Sequence, residues 1–343
     1  MFNKQWKKCF IISIIVILIL GLTACGQQSG SNQSTGSNDA NKGQKLTLRL
    51  ADNQPEDYPT VVGDKEFARL VKERTNGRIN IEVYPNAALG DEKTAAEQVQ
   101  LGAIDFLRGN TGTFANFAKE IDVFNLPFLF SSKEQMWKVL NGPVGEKLLE
   151  ALKPAKMVGL TYYDSGARGF YNSKHPVTKP SDLAGMKIRV QPSPMFMELV
   201  QVLGASPTPM SMAELYSALQ TGVVDGAENN YPTYYTQNHY KVAKYYTEDN
   251  HTRNPEMLVA SLATWNKLSP DDQKIILQAA KDSQIVERKA WDELEAKAKK
   301  AAIDNGCIIS QIDISEWQKA VQPIYDKYGQ QFKDLIDQIR AVK

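Results

Sequence analysis

An arginine stands inside the apolar run Ile188-Arg189-Val190, where a fixed positive charge with five N–H donors must find an anion or several acceptors. Leaving such a charge buried and unpaired is strongly unfavourable. Its planar fork suits a carboxylate held by two parallel hydrogen bonds, a geometry that lysine does not copy. Two partners fit the sequence equally well: the carboxylate of a ligand, or an internal one such as Glu228. Other polar residues stand at the ends of apolar runs, where ligands bind in open α/β sheets. Asn53 follows the first such run, Asn110 follows Ile104–Leu107, Arg168 opens a run after Asp164-Ser165-Gly166, and Asn229 follows Gly226-Ala227-Glu228. With Arg189 these define one candidate cleft for an organic anion.

Catalytic signatures do not stand out. The chain has no Gly-x-Ser-x-Gly elbow, no phosphate loop, no Gly-x-Gly-x-x-Gly after a strand and no His-Glu-x-x-His. His175, His239 and His251 lie far apart and match no zinc spacing, so neither metal nor cofactor is expected. A formal net charge of +1 gives bulk electrostatics no hold on nucleic acid.

The elements that must position the polar residues read as two rounds of one α/β rhythm. In the first, Lys45–Ala51 alternates as a strand, Tyr58–Thr75 has helical spacing, Ile79–Tyr84 is a strand, Asp91–Leu101 a helix and Ala103–Leu107 a short buried strand. This order predicts a mainly parallel sheet. In the second, the spacing predicts strands over Met157–Tyr163, Ala167–Asn172, Lys187–Val190 and Val223–Ala227, with helices over Met195–Leu203 and Met212–Thr221. Gly102-Ala103-Ile104-Asp105 and Gly222-Val223-Val224-Asp225 play matching parts, each ending a helix and opening a strand. Ser269-Pro270-Asp271-Asp272 starts a helix whose pattern runs without proline or glycine to Asn305-Gly306. Unbroken, it would be about 50 Å long and would brace both lobes; an unmarked break would make it two helices.

Residues 1–25 read as an export signal: Lys4, Lys7 and Lys8, an apolar run from Phe10 to Leu20, then Leu22-Thr23-Ala24-Cys25. The run is shorter than the roughly 20 apolar residues a spanning helix needs. The four-residue box reads as a lipoprotein site, with diacylglycerol on the Cys25 thiol. Residues 26–44, rich in Gly, Ser, Asn and Gln, read as a flexible tether. Cys9 leaves with the signal and Cys25 is acylated on this reading, so Cys307 has no disulfide partner.

Several stretches together resemble the solute-binding proteins of tripartite ATP-independent periplasmic (TRAP) transporters, the DctP family. They are Gly90-Asp91-Glu92, Leu126-Pro127-Phe128-Leu129-Phe130, Asp182 to Val190, Gly204 to Met210, and Glu214 to Asn230. The resemblance covers nearly all of residues 46–340. It implies two lobes that close on a ligand, a long helix crossing both, and an arginine, here Arg189, pairing with the ligand carboxylate. Arg168 falls where many members hold a second cationic contact, Asn229 matches the family's ligand amide, and Asn53 and Asn110 match loop positions of the first lobe. Glu92 and Met212 also map to ligand-contacting positions. Sialate-binding members carry an acid where Asn110 stands and an aromatic where Met212 stands, which argues against sialate.

Asn229-Asn230-Tyr231-Pro232-Thr233-Tyr234-Tyr235 adds amides and three tyrosines beside the arginine. Amides read hydroxyls and aromatic faces stack on a sugar ring, so a polyhydroxylated acid suits this lining; Tyr234 and Tyr235 could instead pack the hinge. The Glu-Asn-Asn-x-Pro pattern also resembles members that take hexuronates such as glucuronate or galacturonate. The expected architecture is α/β, a two-lobed periplasmic-binding-protein-like fold. Residues 45–165 with 254–294 form the first lobe, and 166–253 with 295–343 the second. The expected partners are a small carboxylate, a TRAP membrane permease, and the outer face of the cytoplasmic membrane through the lipid. Alternatives are a four-carbon dicarboxylate or oxo acid as ligand, a sensory module of the same fold, and a sugar-acid lyase using Asp164 or Glu228 as its acid or base.

Overall fold

The computed structural model describes residues 45–343; the export signal, Cys25 and the tether lie outside the described residues. The strands are β1 (Leu46–Ala51), β2 (Ile79–Tyr84), β3 (Phe106–Asn110), β4 (Met157–Tyr163), β5 (Arg168–Asn172), β6 (Lys187–Val190), β7 (Ser206–Pro209), β8 (Gly226–Asn229), β9 (Tyr245–Thr252), β10 (Glu256–Ser261) and β11 (Ile308–Ser310). They form two sheets, in the orders β2-β1-β3-β10-β4 and β11-β9-β5-β8-β6-β7. Each sheet is the centre of one lobe, and helices cover them in an α/β arrangement.

Both sheets are mainly parallel, as expected, but each carries one reversed strand. β1, β2 and β3 run parallel, but β10 pairs antiparallel with β3 and β4; in the second sheet β5 runs antiparallel to β8 and β9. The reversed strands are those at the crossings between lobes. The chain leaves the first sheet at β4 to enter the second at β5, and returns from β9 to β10. A strand arriving directly from the other lobe has no crossover helix to set it parallel.

The last strand of each round begins later than its pattern predicts. Gly102 and Gly222 end their helices in the left-handed region, with φ of 79° and 74°. Asp105 and Asp225 then serve as loop anchors: Asp105 accepts from the Arg49 N–H at 2.8 Å and Asp225 from the Lys187 N–H at 2.8 Å. Each carboxylate occupies a donor of the neighbouring strand, so the ladders start directly after the aspartates, at Phe106 and Gly226.

The helix Pro270–Asp304 is continuous over 35 residues. Ser269 caps it by accepting from the Asp272 N–H at 3.1 Å, and Asp271 and Asp272 sit at the positive end of its dipole. Ile276, Ala279, Ala280, Ser283, Glu287, Trp291, Ala298 and Ala302 form its buried face at helical spacing. This helix packs on helix Pro59–Arg74 and β4 of the first lobe, and on helix Tyr231–Thr236 of the second. Trp291 meets Tyr58 edge to face with centroids 5.7 Å apart.

Candidate functional site

A cavity of about 400 Å³ lies between the lobes, at the ends of the strands. The first lobe contributes Asn53, Glu92, Arg108, Asn110 and Glu256; the second contributes Arg168, Arg189, Met212 and Asn229. Seven of the sequence-predicted residues therefore meet there. Tyr234 does not. It is fully buried behind the wall, packed in tilted and edge-to-face contacts among Tyr171, Tyr240 and Tyr246, and its hydroxyl donates to the Ala243 carbonyl and to Cys307 Sγ. The first turn of helix Tyr231–Thr236 presents Thr233 and Asn230 to the cavity, and the helical turn carries Tyr234 round to the core side.

The structure separates the three buried arginines of this site by what each still has to give. Arg168, 4 % exposed, is locked to Glu228: Nε donates at 2.6 Å and Nη2 at 2.8 Å, while Nη1 donates to Asn229 Oδ1 at 3.0 Å. Burial works against both charges, yet the pairing prevails, holding Arg168 above its ordinary pKa and Glu228 down at about 2. His251 completes the group, 3.4 Å from Glu228 and 2.7 Å from Asp249; these two carboxylates outweigh burial and lift its pKa to about 9.

Arg189 has no carboxylate. Its Nε and Nη2 donate to the Met210 carbonyl at 3.0 and 2.8 Å, and Nη1 is buried with no hydrogen-bond partner among the described residues. Burial pulls its pKa below the ordinary value, the mark of a cation held without full compensation. The internal pairing with Glu228 that the sequence allows is taken by Arg168. In β6 the side chains of Ile188 and Val190 turn to the core, which leaves Arg189 on the opposite face at the cavity.

The other predicted residues form a connected frame. Glu92 accepts from the Asn110 N–H at 2.9 Å, Thr113 Oγ1 at 2.6 Å and Asn53 Nδ2 at 3.1 Å. Asn110 Oδ1 accepts from Gly112, Asn254 and, across the cleft, Gln191 Nε2 at 2.9 Å. Tyr58 and Thr233 form a second contact between the lobes at 2.8 Å, and Asn116 donates to the Pro192 carbonyl at 3.2 Å. These contacts draw the lobes together over the cavity.

Sequence reasoning missed Arg108, Glu256 and Gln191. Arg108, 1 % exposed, stands in Phe106-Leu107-Arg108-Gly109-Asn110, so the argument that singled out Arg189 applies to it equally. Glu256 opens the apolar β10, a similar signal. Gln191 carries no such mark, because its partner lies 81 residues away on the other lobe.

Neither residue nominated for acid–base chemistry is placed for it. Glu228 is held as a carboxylate by Arg168 and His251, and Asp164 is absent from the cavity wall, bonded instead to Lys133 at 2.8 Å. No group of side chains among the described residues could hold a metal ion.

The family described as bacterial extracellular solute-binding protein, family 7 (DctP) matches residues 50–331. A solute-binding protein of Chromohalobacter salexigens is 39 % identical over 282 residues, 82 % of this chain and 84 % of its own length. Among solved structures, a TRAP periplasmic solute-binding protein of Xanthobacter autotrophicus with bound β-D-galacturonate is 41 % identical, with a TM-score of 0.84 over 86 % of this chain and all of that one. A TRAP periplasmic solute-binding protein of Chromohalobacter salexigens with bound D-glucuronate is 37 % identical, also with a TM-score of 0.84 over 86 % of this chain and all of that one. Two lobes closing over an unpaired buried arginine fit that match, and this chain belongs to the DctP family of extracytoplasmic solute-binding proteins that serve TRAP transporters.

Proposed function

We propose that the protein captures a hexuronate, such as glucuronate or galacturonate, and hands it to a TRAP membrane permease while tethered to the membrane through lipid on Cys25. One observation carries the ligand reading: Arg189 Nη1 is buried and without a partner among the described residues, in a cavity whose buried carboxylates Glu92 and Glu256 already face Arg108. A ligand carboxylate would take an Nη1 hydrogen and the second Nη2 hydrogen of Arg189 as an end-on fork, and Arg168 Nη1 has a second hydrogen beyond the one given to Asn229. Asn229 and Asn53 then face the hydroxyls, Glu92 holds Asn53 and Asn110 in place, and Met212 contributes an apolar surface. Relatives with bound galacturonate and glucuronate support the same class.

A thermal-shift panel of organic acids tests this. A hexuronate at about 100 times its dissociation constant is expected to add roughly 2.7 kcal/mol to the unfolding free energy. A larger shift with a four-carbon dicarboxylate would assign the site to that acid instead.

The anchor rests on Leu22-Thr23-Ala24-Cys25 and the polar tether behind it. Cells expressing Cys25→Ser should incorporate no labelled fatty acid into the protein and should release it from the membrane fraction. Label on the variant, or none on the wild type, would remove the anchor from this reading.

A further inference from the structure

The wall that the first lobe contributes to the cavity carries more acid than base. Arg108 donates Nε and Nη2 to Asp52, Nη2 also to Asn53 Oδ1 at 2.7 Å, and Nη1 to Glu256 Oε2 at 3.0 Å, with Glu92 Oε2 3.5 Å away. Four of its five N–H groups are spent in hydrogen bonds and the fifth, on Nη1, has Glu92 Oε2 beside it, so the guanidinium is engaged by its own wall. Three carboxylates share that one guanidinium, so the wall carries surplus acid; burial raises the pKa of Glu256 while Arg108 and Asn110 draw it back down. Asp91 and Lys93 stand at the exposed rim, where water screens their charges.

The two acids at the cavity differ in what they can still accept. Both oxygens of Glu92 face two donors each: Asn110 N and Thr113 Oγ1 on one, Asn53 Nδ2 and Arg108 on the other. Glu256 takes one donor per oxygen, Asn110 Nδ2 at 3.0 Å on Oε1 and Arg108 Nη1 on Oε2. Each of its oxygens thus keeps a lone pair, at a residue that is 7 % exposed and lines the cavity.

We propose that Glu256 determines specificity: it accepts a ligand hydroxyl and repels any second carboxylate, so the site takes polyhydroxy monocarboxylates and rejects dicarboxylates of the same size. The inference rests on the sugar-acid reading above and extends it to the wall facing Arg189. A cavity with the uncompensated buried Arg189 on one wall and surplus acid on the other has a polarity. A dicarboxylate satisfies the first wall and meets like charge at the second, where a monocarboxylate offers hydroxyl donors.

Calorimetric titration of the full chain with a hexuronate and with the corresponding hexarate, for wild type and Glu256→Gln, tests this. Wild type is expected to prefer the hexuronate by at least about a hundredfold. Glu256→Gln keeps an acceptor oxygen for Arg108 and removes the charge, so the preference should narrow by about tenfold or more. The ring-versus-open-chain difference between the two acids is common to both proteins and cancels in that comparison. An unchanged preference in the variant overturns the proposal. Wild type binding the hexarate within about threefold of the hexuronate overturns it too, and that needs no variant to fold. Binding of the hexuronate in either case leaves the sugar-acid reading standing; failure of both acids where a four-carbon dicarboxylate binds removes that reading and this inference with it.

Discussion

Arg189→Lys is expected to weaken ligand binding by at least tenfold, about 1.4 kcal/mol, and Arg189→Ala by a hundredfold or more. Lysine keeps the charge but loses the fork; alanine leaves the ligand carboxylate without its cation in a closed cleft. The free protein should behave differently. Among the described residues Arg189 has no anionic partner, only the Met210 carbonyl, and its Nη1 is orphaned, so replacing it by alanine takes away an uncompensated buried charge. Melting temperature without ligand is therefore expected to hold or rise in Arg189→Ala, whereas Arg189→Lys keeps the buried charge and has no such gain. Titration calorimetry beside ligand-free melting curves reads both quantities. A variant that melts normally and binds its acid at wild-type strength would sink the site assignment.

Glu228→Ala should do the reverse, destabilising the free fold by about 3–5 kcal/mol because Arg168 stays buried without its carboxylate. Urea unfolding of the ligand-free variant measures it; a loss under about 1 kcal/mol would show that Asp249 and water suffice to hold the network. The same network gives wild type a pH dependence with a definite sign. Glu228 falls from 4.5 to about 2 on folding, so its contribution is full above pH 4.5 and is lost as pH drops toward 2. His251 rises from 6.5 to about 9, so its contribution is full below pH 6.5 and is lost as pH climbs through 9. These two groups together favour the fold most between pH 4.5 and 6.5. Glu228→Ala should flatten the acid side of that profile.

The sequence by itself determined the elements and the chemistry. Capping at Ser269, the glycines at 102 and 222 and the period of the apolar residues are local signals. Local signals set helix and strand positions to within a few residues. A guanidinium in an apolar strand is equally local, and it marked Arg189 and would have marked Arg108. Tertiary structure alone decided which arginine is free. Arg168, Arg189 and Arg108 carry the same side chain in similar strands, and only the placement of Glu228, Asp52 and Glu256 distinguishes them. It also decided that Tyr234 is core while Thr233 faces the cavity, a matter of about 100° around one helical turn. The contact between Asn110 and Gln191 across the cleft was likewise beyond the sequence, since hydrogen bonding between distant residues leaves no periodicity to read.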